Sequence, residues 1–419
     1  MAGSGLGGPY RRLWTASAVS SLGDGMYLAA LPLLATTLTR DPLAVSVVTF
    51  AGWLPWLLFA LPAGALVDRL DRRRVMWTVD AGRALVVGAL TAAVLAGWAS
   101  IPLLAVAGFL VGAGQTLFEN AAQAMVVSVV GRDPRRLERA NGQLVASLTV
   151  GQQLAGPPLG SAAFAAATWL PFLADAASFG ASAALVATIR GRFRAEPAGA
   201  GPAVRRSMRA EIAEGLRFLL GHRLLRTAVL LVSASNLAFM AGEAVLVLFA
   251  TEELGLGSRG YGLLLAAGAV GGLPGSLLAA RVGGRVPPGQ LIVGGVLAGA
   301  VVMAWFGLAT DPWVAGVAYA VTGAVWGVWN VTLLSLRQAI VPDRLMGRVV
   351  GAIRLVGFGT IPLGALLGGV VARTFGLRAP FLLGAAVLAV AALAAAPVVT
   401  TSAIETARSE AGAGRTRPG

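Results

Sequence analysis

The chain has 419 residues, carries 33 basic against 19 acidic side chains, and is 57% hydrophobic before glycine is counted. With its 56 glycines the apolar share reaches roughly 70%, against about 45–50% for soluble domains counted the same way. Only 12% of residues are charged, which excludes a soluble enzyme, a disordered protein and a coiled coil and leaves an integral membrane protein.

Twelve apolar stretches of about 20 residues follow one another: 14–36, 44–66, 77–97, 101–126, 141–163, 168–189, 226–250, 260–280, 290–309, 313–336, 349–371 and 378–399. In lipid each must satisfy its own backbone, so each is predicted to be a helix. A transmembrane barrel would show short alternating strands, which the sequence lacks. The first stretch follows Arg11 and Arg12, runs too long for a signal peptide and has no small-residue cleavage site after it. It is expected to be retained.

The longest break, 190–225, splits the spans six and six. Ala195–Ala203 reads as linker. Met208, Ile212, Leu216 and Leu219 then recur at helical spacing beside Arg205, Arg206, Arg209 and Arg217, the pattern of a helix lying on the membrane surface. The expected organisation is an all-α membrane fold: a six-helix bundle over 1–189, a cytoplasmic linker with a surface helix over 190–225, a second bundle over 226–399, and a disordered cytoplasmic tail over 400–419.

Arginine sets the orientation. There is no lysine, and with both termini in the cytoplasm 27 of the 33 arginines fall on the inner side. Four (Arg40, Arg259, Arg373, Arg378) fall outside, and Arg83 and Arg354 lie within spans. The basic charge therefore meets anionic lipid and does not indicate nucleic acid. Without lysine there is no P-loop or Schiff-base lysine. Without cysteine, and with His222 as the one histidine, no thiolate or multi-histidine metal site is available. No cofactor or metal is expected. Gly255, Gly257 and Gly260 fit a dinucleotide fingerprint, but no strand precedes them.

The halves repeat. Leu61-Pro62 before Arg69 recurs as Leu273-Pro274 before Arg281, and Pro158-Leu159-Gly160 recurs as Pro362-Leu363-Gly364. Two related bundles with a site between them is a transporter design. The loop after the second span reads Gly64-Ala-Leu-Val-Asp68-Arg69-Leu-Asp71-Arg72-Arg73-Arg74. From charge alone it is either positive-inside flanking or a latch that forms in one conformation and breaks in another. Span five carries Gly151, Gly156, Pro157 and Gly160, which suit close helix packing and a bend.

The order of these residues resembles the major facilitator superfamily. The loop matches the signature G-x-L-x-D-R-x-G-R-R at Gly64, Leu66, Asp68, Arg69, Arg72 and Arg73, with Asp71 where glycine is usual. Aspartate tolerates the left-handed turn that such a glycine serves. Span five resembles the antiporter motif G-x-x-x-G-P-x-x-G, with one extra residue before Gly156-Pro157. Asp80 with Arg83, Arg136 to Gly142, and Val341 to Val349 resemble the drug–proton antiporter branch that includes macrolide-efflux proteins and the enterobactin exporter. Span four lacks the arginine many of those antiporters carry there. The resemblance implies twelve helices, a bacterial plasma membrane, spans one, four, seven and ten around a central cavity, and an Asp68 that docks on span eleven.

A charged side chain at a helix centre costs about 2.5–3.5 kcal/mol, so in-span charges need a partner or a purpose. Asp24, Glu119 and Glu243 are the proton-coupling candidates, Asp24 first and Glu119 second; helix bracing is the competing reading for Asp24 and Glu119. Tyr27, Gln115, Asn236, Trp326 and Asn330 are expected to line the cavity. Asp80 and Arg83, three apart, read as mutually paired near the cytoplasmic end of span three. Asp175 lies in span six. The expected activity is proton-coupled efflux of a small amphipathic molecule (an antibiotic, drug or siderophore) by a monomer. An importer of the same fold and a non-transporting sensor or scaffold are the alternatives.

Overall fold

The computed structural model describes residues 6–67, 69–191, 193, 208–341 and 346–415. Among them the apolar stretches are helical, with one interruption in span seven, since lipid offers a backbone no other partner. In the N-terminal half these are α1 (Gly8–Leu38), α2 (Pro42–Val67), α3 (Arg72–Leu95), α4 (Ile101–Val130), α5 (Pro134–Leu148), α6 (Gly156–Ala166) and α7 (Leu170–Ala187). There follow α8 (Met208–Gly221), α9 (Arg223–Glu243), α10 (Leu246–Leu248), α11 (Ser258–Gly283), α12 (Pro288–Leu308), α13 (Pro312–Ile340), α14 (Met346–Phe375), α15 (Ala379–Ala395) and α16 (Thr401–Arg415). Ten helices among the described residues are long and apolar enough to cross a membrane. The 17-residue α15 and the continuous helical run from Pro134 to Ala166 complete twelve.

Local chemistry sets the helix ends. Proline occupies the first turn of α1, α4, α7, α12, α13 and α15, where its missing N–H costs nothing. Asp71 caps α3, accepting from Arg74 N at 3.1 Å and from Phe193 N at 3.3 Å. Its φ is −71°, so this residue makes an extended cap and not the left-handed turn that the signature glycine suggested. Replacing Asp71 with Ala is expected to lower stability by about 1 kcal/mol, read as a small drop in thermal midpoint. An unchanged midpoint would show the cap to be idle.

The extra residue in the span-five motif has a structural counterpart. Thr149–Ala155 is a π-helical segment between α5 and α6, and Gly156 N bonds back to Gly151 O. A π turn absorbs one inserted residue inside an otherwise α-helical run. Beyond it, an added Cβ on Gly156 would lie 2.6 Å from Gly25 Cα, so α6 and α1 touch backbone to backbone.

The chain divides into two compact units, Met1–Gly201 with Gly255–Ala266, and Pro202–Leu254 with Ala267–Gly419. The start of α11 thus groups with the first unit, unlike the 226–399 boundary drawn from sequence. In the first unit α1 packs on α6 and α7, α2 on α4, and α3 on α4 and α7. Leu13, Met76, Met125 and Ile189 are fully buried there, and Tyr10 donates to Ala140 O at 2.9 Å. In the second, α9 packs on α14 and α15, and α12 on α13 and α15. The surface helix α8 lies on α14, with Glu214 paired to Arg348 at 2.8 Å. Leu85 and Leu277 are about four-fifths exposed in mid-helix, a waste of apolar surface in water but the natural face to hydrocarbon.

Two expectations are corrected. Residues 400–419 were expected to be disordered, yet Thr401–Arg415 is helical. Ile404 and Ala407 supply its buried face, and α16 packs on α12 and α13. Span seven was expected to run unbroken over 226–250. Instead α9 ends at Glu243, a turn intervenes, and a second π segment spans Phe249–Glu253.

Candidate functional site

The first unit encloses a charged cluster. Asp24 stands near the middle of α1, and Arg83 lies about 16 Å along α3 from Arg72 at 1.5 Å per residue. Arg83 Nη2 donates to Asp24 Oδ1 at 2.5 Å, and its Nη1 reaches Asp80 Oδ1 at only 3.5 Å. The Asp80–Arg83 pair expected from spacing is therefore the looser of two contacts, and Arg83 sits at mid-helix and not at the cytoplasmic end. Asp80 Oδ2 accepts from Ser182 Oγ on α7 at 2.5 Å.

Packing shapes the rest. The Arg83 guanidinium lies 3.7 Å from the centre of the Phe179 ring, a cation–π contact. Its aliphatic stem rests against Gly114 of α4, where any Cβ would be 2.8 Å from it. Asp175 on α7 is wholly buried; Ser178 Oγ contacts its Oδ1 at 3.4 Å, and its Oδ2 has no partner. Tyr27 is also buried, its hydroxyl unpartnered and its ring edge-on to Phe172 at 6.0 Å. Tyr27 thus packs beside this cluster. Asp24 keeps 12% of its side chain exposed, against 2% or less for Arg83 and Asp80.

The other candidates stand apart from it. Glu119 accepts from Gln115 Nε2, one turn away on α4, at 2.8 Å. Asn236 donates to Gly357 O at 2.9 Å and so braces α9 to α14. Asn330 is exposed and donates to Trp326 O at 3.0 Å. Trp326 meets Phe239 edge-on at 6.1 Å. Glu243 accepts from the Tyr319 hydroxyl at 2.9 Å, a partner on α13 that sequence reading did not supply.

In the loop between α2 and α3, Asp68 lies outside the described residues. Gly64 faces Asn120 of α4, Arg69 is exposed, Arg72 donates to Ser128 Oγ at 2.7 Å, and Arg73 to Ile189 O at 2.8 Å. Arg72 and Arg73 thereby tie the start of α3 to the ends of α4 and α7. Gly151 and Gly160 approach the α1 backbone at Leu22 and Met26, as Gly156 does at Gly25, and Pro157 is buried beside them.

Two helical bundles with charges locked inside the helices define a multi-pass membrane protein of the transporter class. Residues 8–413 match the family described as transmembrane secretion effector, and the chain belongs to this family of the major facilitator superfamily. The multidrug efflux pump Tap of Mycolicibacterium fortuitum is 29% identical over 383 residues, covering 90% of this chain and 92% of that one. Tap of Mycobacterium tuberculosis is 29% identical over 388 residues, covering 90% of each. Among solved structures, the nucleoside transporter NupG superposes with a TM-score of 0.73 at 12% identity, covering 95% of this chain and all of that one. A bacterial homologue of the iron transporter ferroportin gives 0.70 at 16% identity, covering 96% and 98%. These structures share the fold.

Proposed function

We propose that the chain is a proton-coupled exporter of small amphipathic organic molecules, working as a monomer in a bacterial plasma membrane with both termini in the cytoplasm. The observation that carries the coupling is the Asp24–Arg83–Asp80–Asp175 cluster. One guanidinium balances one carboxylate. Keeping two more ionised away from water costs several kcal/mol each, so the cluster has room for exchangeable protons.

Asp24 is the most exposed side chain of the Arg83 contacts, and it holds Arg83 by the shorter of the two. A proton arriving at Asp24 removes that charge and lets Arg83 turn to Asp80. Loss of the proton draws it back. A switch of this kind links protonation to the packing of α1 on α3. Rocking of two bundles about a midplane site would carry the cargo, with Asp68 and the Arg72–Arg73 ties as the gate. Glu119, bonded to Gln115 on α4, is the second proton-coupling candidate, outside this cluster. One proton crossing 150 mV releases about 3.5 kcal/mol, enough for a gradient of a few hundredfold. The efflux assignment is supported by the likeness to the Tap pumps.

The test uses inverted membrane vesicles with a pH-gradient dye and a panel of macrolides, dyes and siderophores. Some compound is expected to dissipate the gradient, and Asp24→Asn, expressed at wild-type level, is expected to abolish that response. A wild-type response in Asp24→Asn removes Asp24 from the coupling role. Cargo accumulation in intact cells, in place of depletion, turns the reading to import.

A further inference from the structure

The two units treat their buried carboxylates differently. In the first, Asp24 and Asp80 meet an internal cation, Arg83. In the second, Glu243 has the neutral Tyr319 hydroxyl, and no guanidinium pairs with it among the described residues. It stands where α9 breaks. The carbonyl end of a helix is its negative end, which favours a cation.

A cavity of about 30 Å³ opens beside this carboxylate, walled by Phe239, Phe306, Tyr319, Trp326 and Phe381, with Thr322 and Met303 at its edge. A single water needs only about 10–15 Å³ on this measure, so the space holds a group of about two heavy atoms. Three features point the same way. The carboxylate has no cationic partner among the described residues, the helix end adds partial negative charge, and ring faces attract cations. The Glu243 carboxylate and the Thr322 hydroxyl in the lining are acceptors for the N–H groups of a primary ammonium. A trimethylammonium head is too large.

We propose that the Glu243 pocket is a subsite for a primary alkylammonium group, the charged head of an amine cargo whose apolar body lies outside the pocket. This deepens the export reading by naming a substrate class, and it separates two roles: Arg83 and its carboxylates serve coupling, Glu243 serves recognition.

The test is isothermal titration calorimetry on the full chain in lipid nanodiscs at neutral pH, with no ion gradient. The probes are phenethylammonium, phenethyl alcohol and phenyltrimethylammonium. Phenethylammonium is expected to bind saturably, and the alcohol and the quaternary ion at least about tenfold more weakly. Glu243→Gln is expected to erase that preference for the ammonium. Equal binding of all three probes, or an undiminished preference in Glu243→Gln, overturns the proposal. Should that variant fail to fold, Trp326→Leu keeps the carboxylate and removes the largest ring. It is expected to weaken the ammonium about threefold, and unchanged binding there overturns the proposal equally. Because binding is read at equilibrium, a failure of proton coupling at Asp24 leaves this result intact, and the reverse holds too.

Discussion

Arg83→Met is expected to destabilise the protein by about 3–5 kcal/mol, because it leaves carboxylates buried without their cation. The guanidinium also fills the space between Phe179 and Gly114, so the loss includes a cation–π contact and packing. Methionine keeps most of the volume, which isolates the charge. Adding Asp24→Asn removes one of the stranded charges and is expected to recover at least about 1 kcal/mol. Arg83→Lys is not conservative here, since an ammonium cannot fork between Asp24 and Asp80. Thermal unfolding in lipid nanodiscs gives the readout. If Arg83→Met melts with the wild type, the cluster is not held by Arg83, and the coupling argument loses its pivot.

Much of the fold is legible in the sequence because lipid simplifies the physics. Every span must be a helix, and hydropathy alone marks where. The breaks inside spans are less legible. Val245 and its neighbours are as apolar as any helix core, so the interruption after Glu243 leaves no trace in hydropathy. The π segment at Thr149–Ala155 did leave one, a motif one residue too long, whose meaning needed the backbone. The helix over Thr401–Arg415 was hidden by a polar, alanine-rich composition, and its order comes from packing on α12 and α13.

The site was legible as a set of residues and not as a geometry. Asp24, Asp80 and Arg83 each stood out as charges within spans. The i,i+3 spacing of Asp80 and Arg83 suggested a local pair, yet Arg83 makes its shorter bond across 59 positions. Helical spacing shows which side chains share a face, never which faces meet. Asp175 is the clearest omission. Its place in span six gave no sign of which helices it faces, and Arg83 already had a candidate partner in Asp80 three residues away. Tyr319 left no comparable signal, for a tyrosine in a span is ordinary.

Gly156→Leu is expected to cost at least about 3 kcal/mol and to prevent recovery of folded protein. Overpacking in a soluble core is relieved by side-chain rotation. Here the obstacle is backbone: the new Cβ would meet Gly25 Cα at 2.6 Å and the Gly25 carbonyl carbon at 2.8 Å. Only separation of α6 from α1 relieves that. Asp24 sits on α1 one residue before the contact, so the displaced helix carries Asp24 away from Arg83. Export and stability should therefore fall together. Gly142, on α5, has open space around its missing Cβ, and Gly142→Ala should be neutral or gain up to about 1 kcal/mol. The contrast separates a helix-contact effect from a general intolerance of side chains in span five. A Gly156→Leu protein that folds and exports normally would show that the π turn can re-register α6 on α1, and the close approach would not be required.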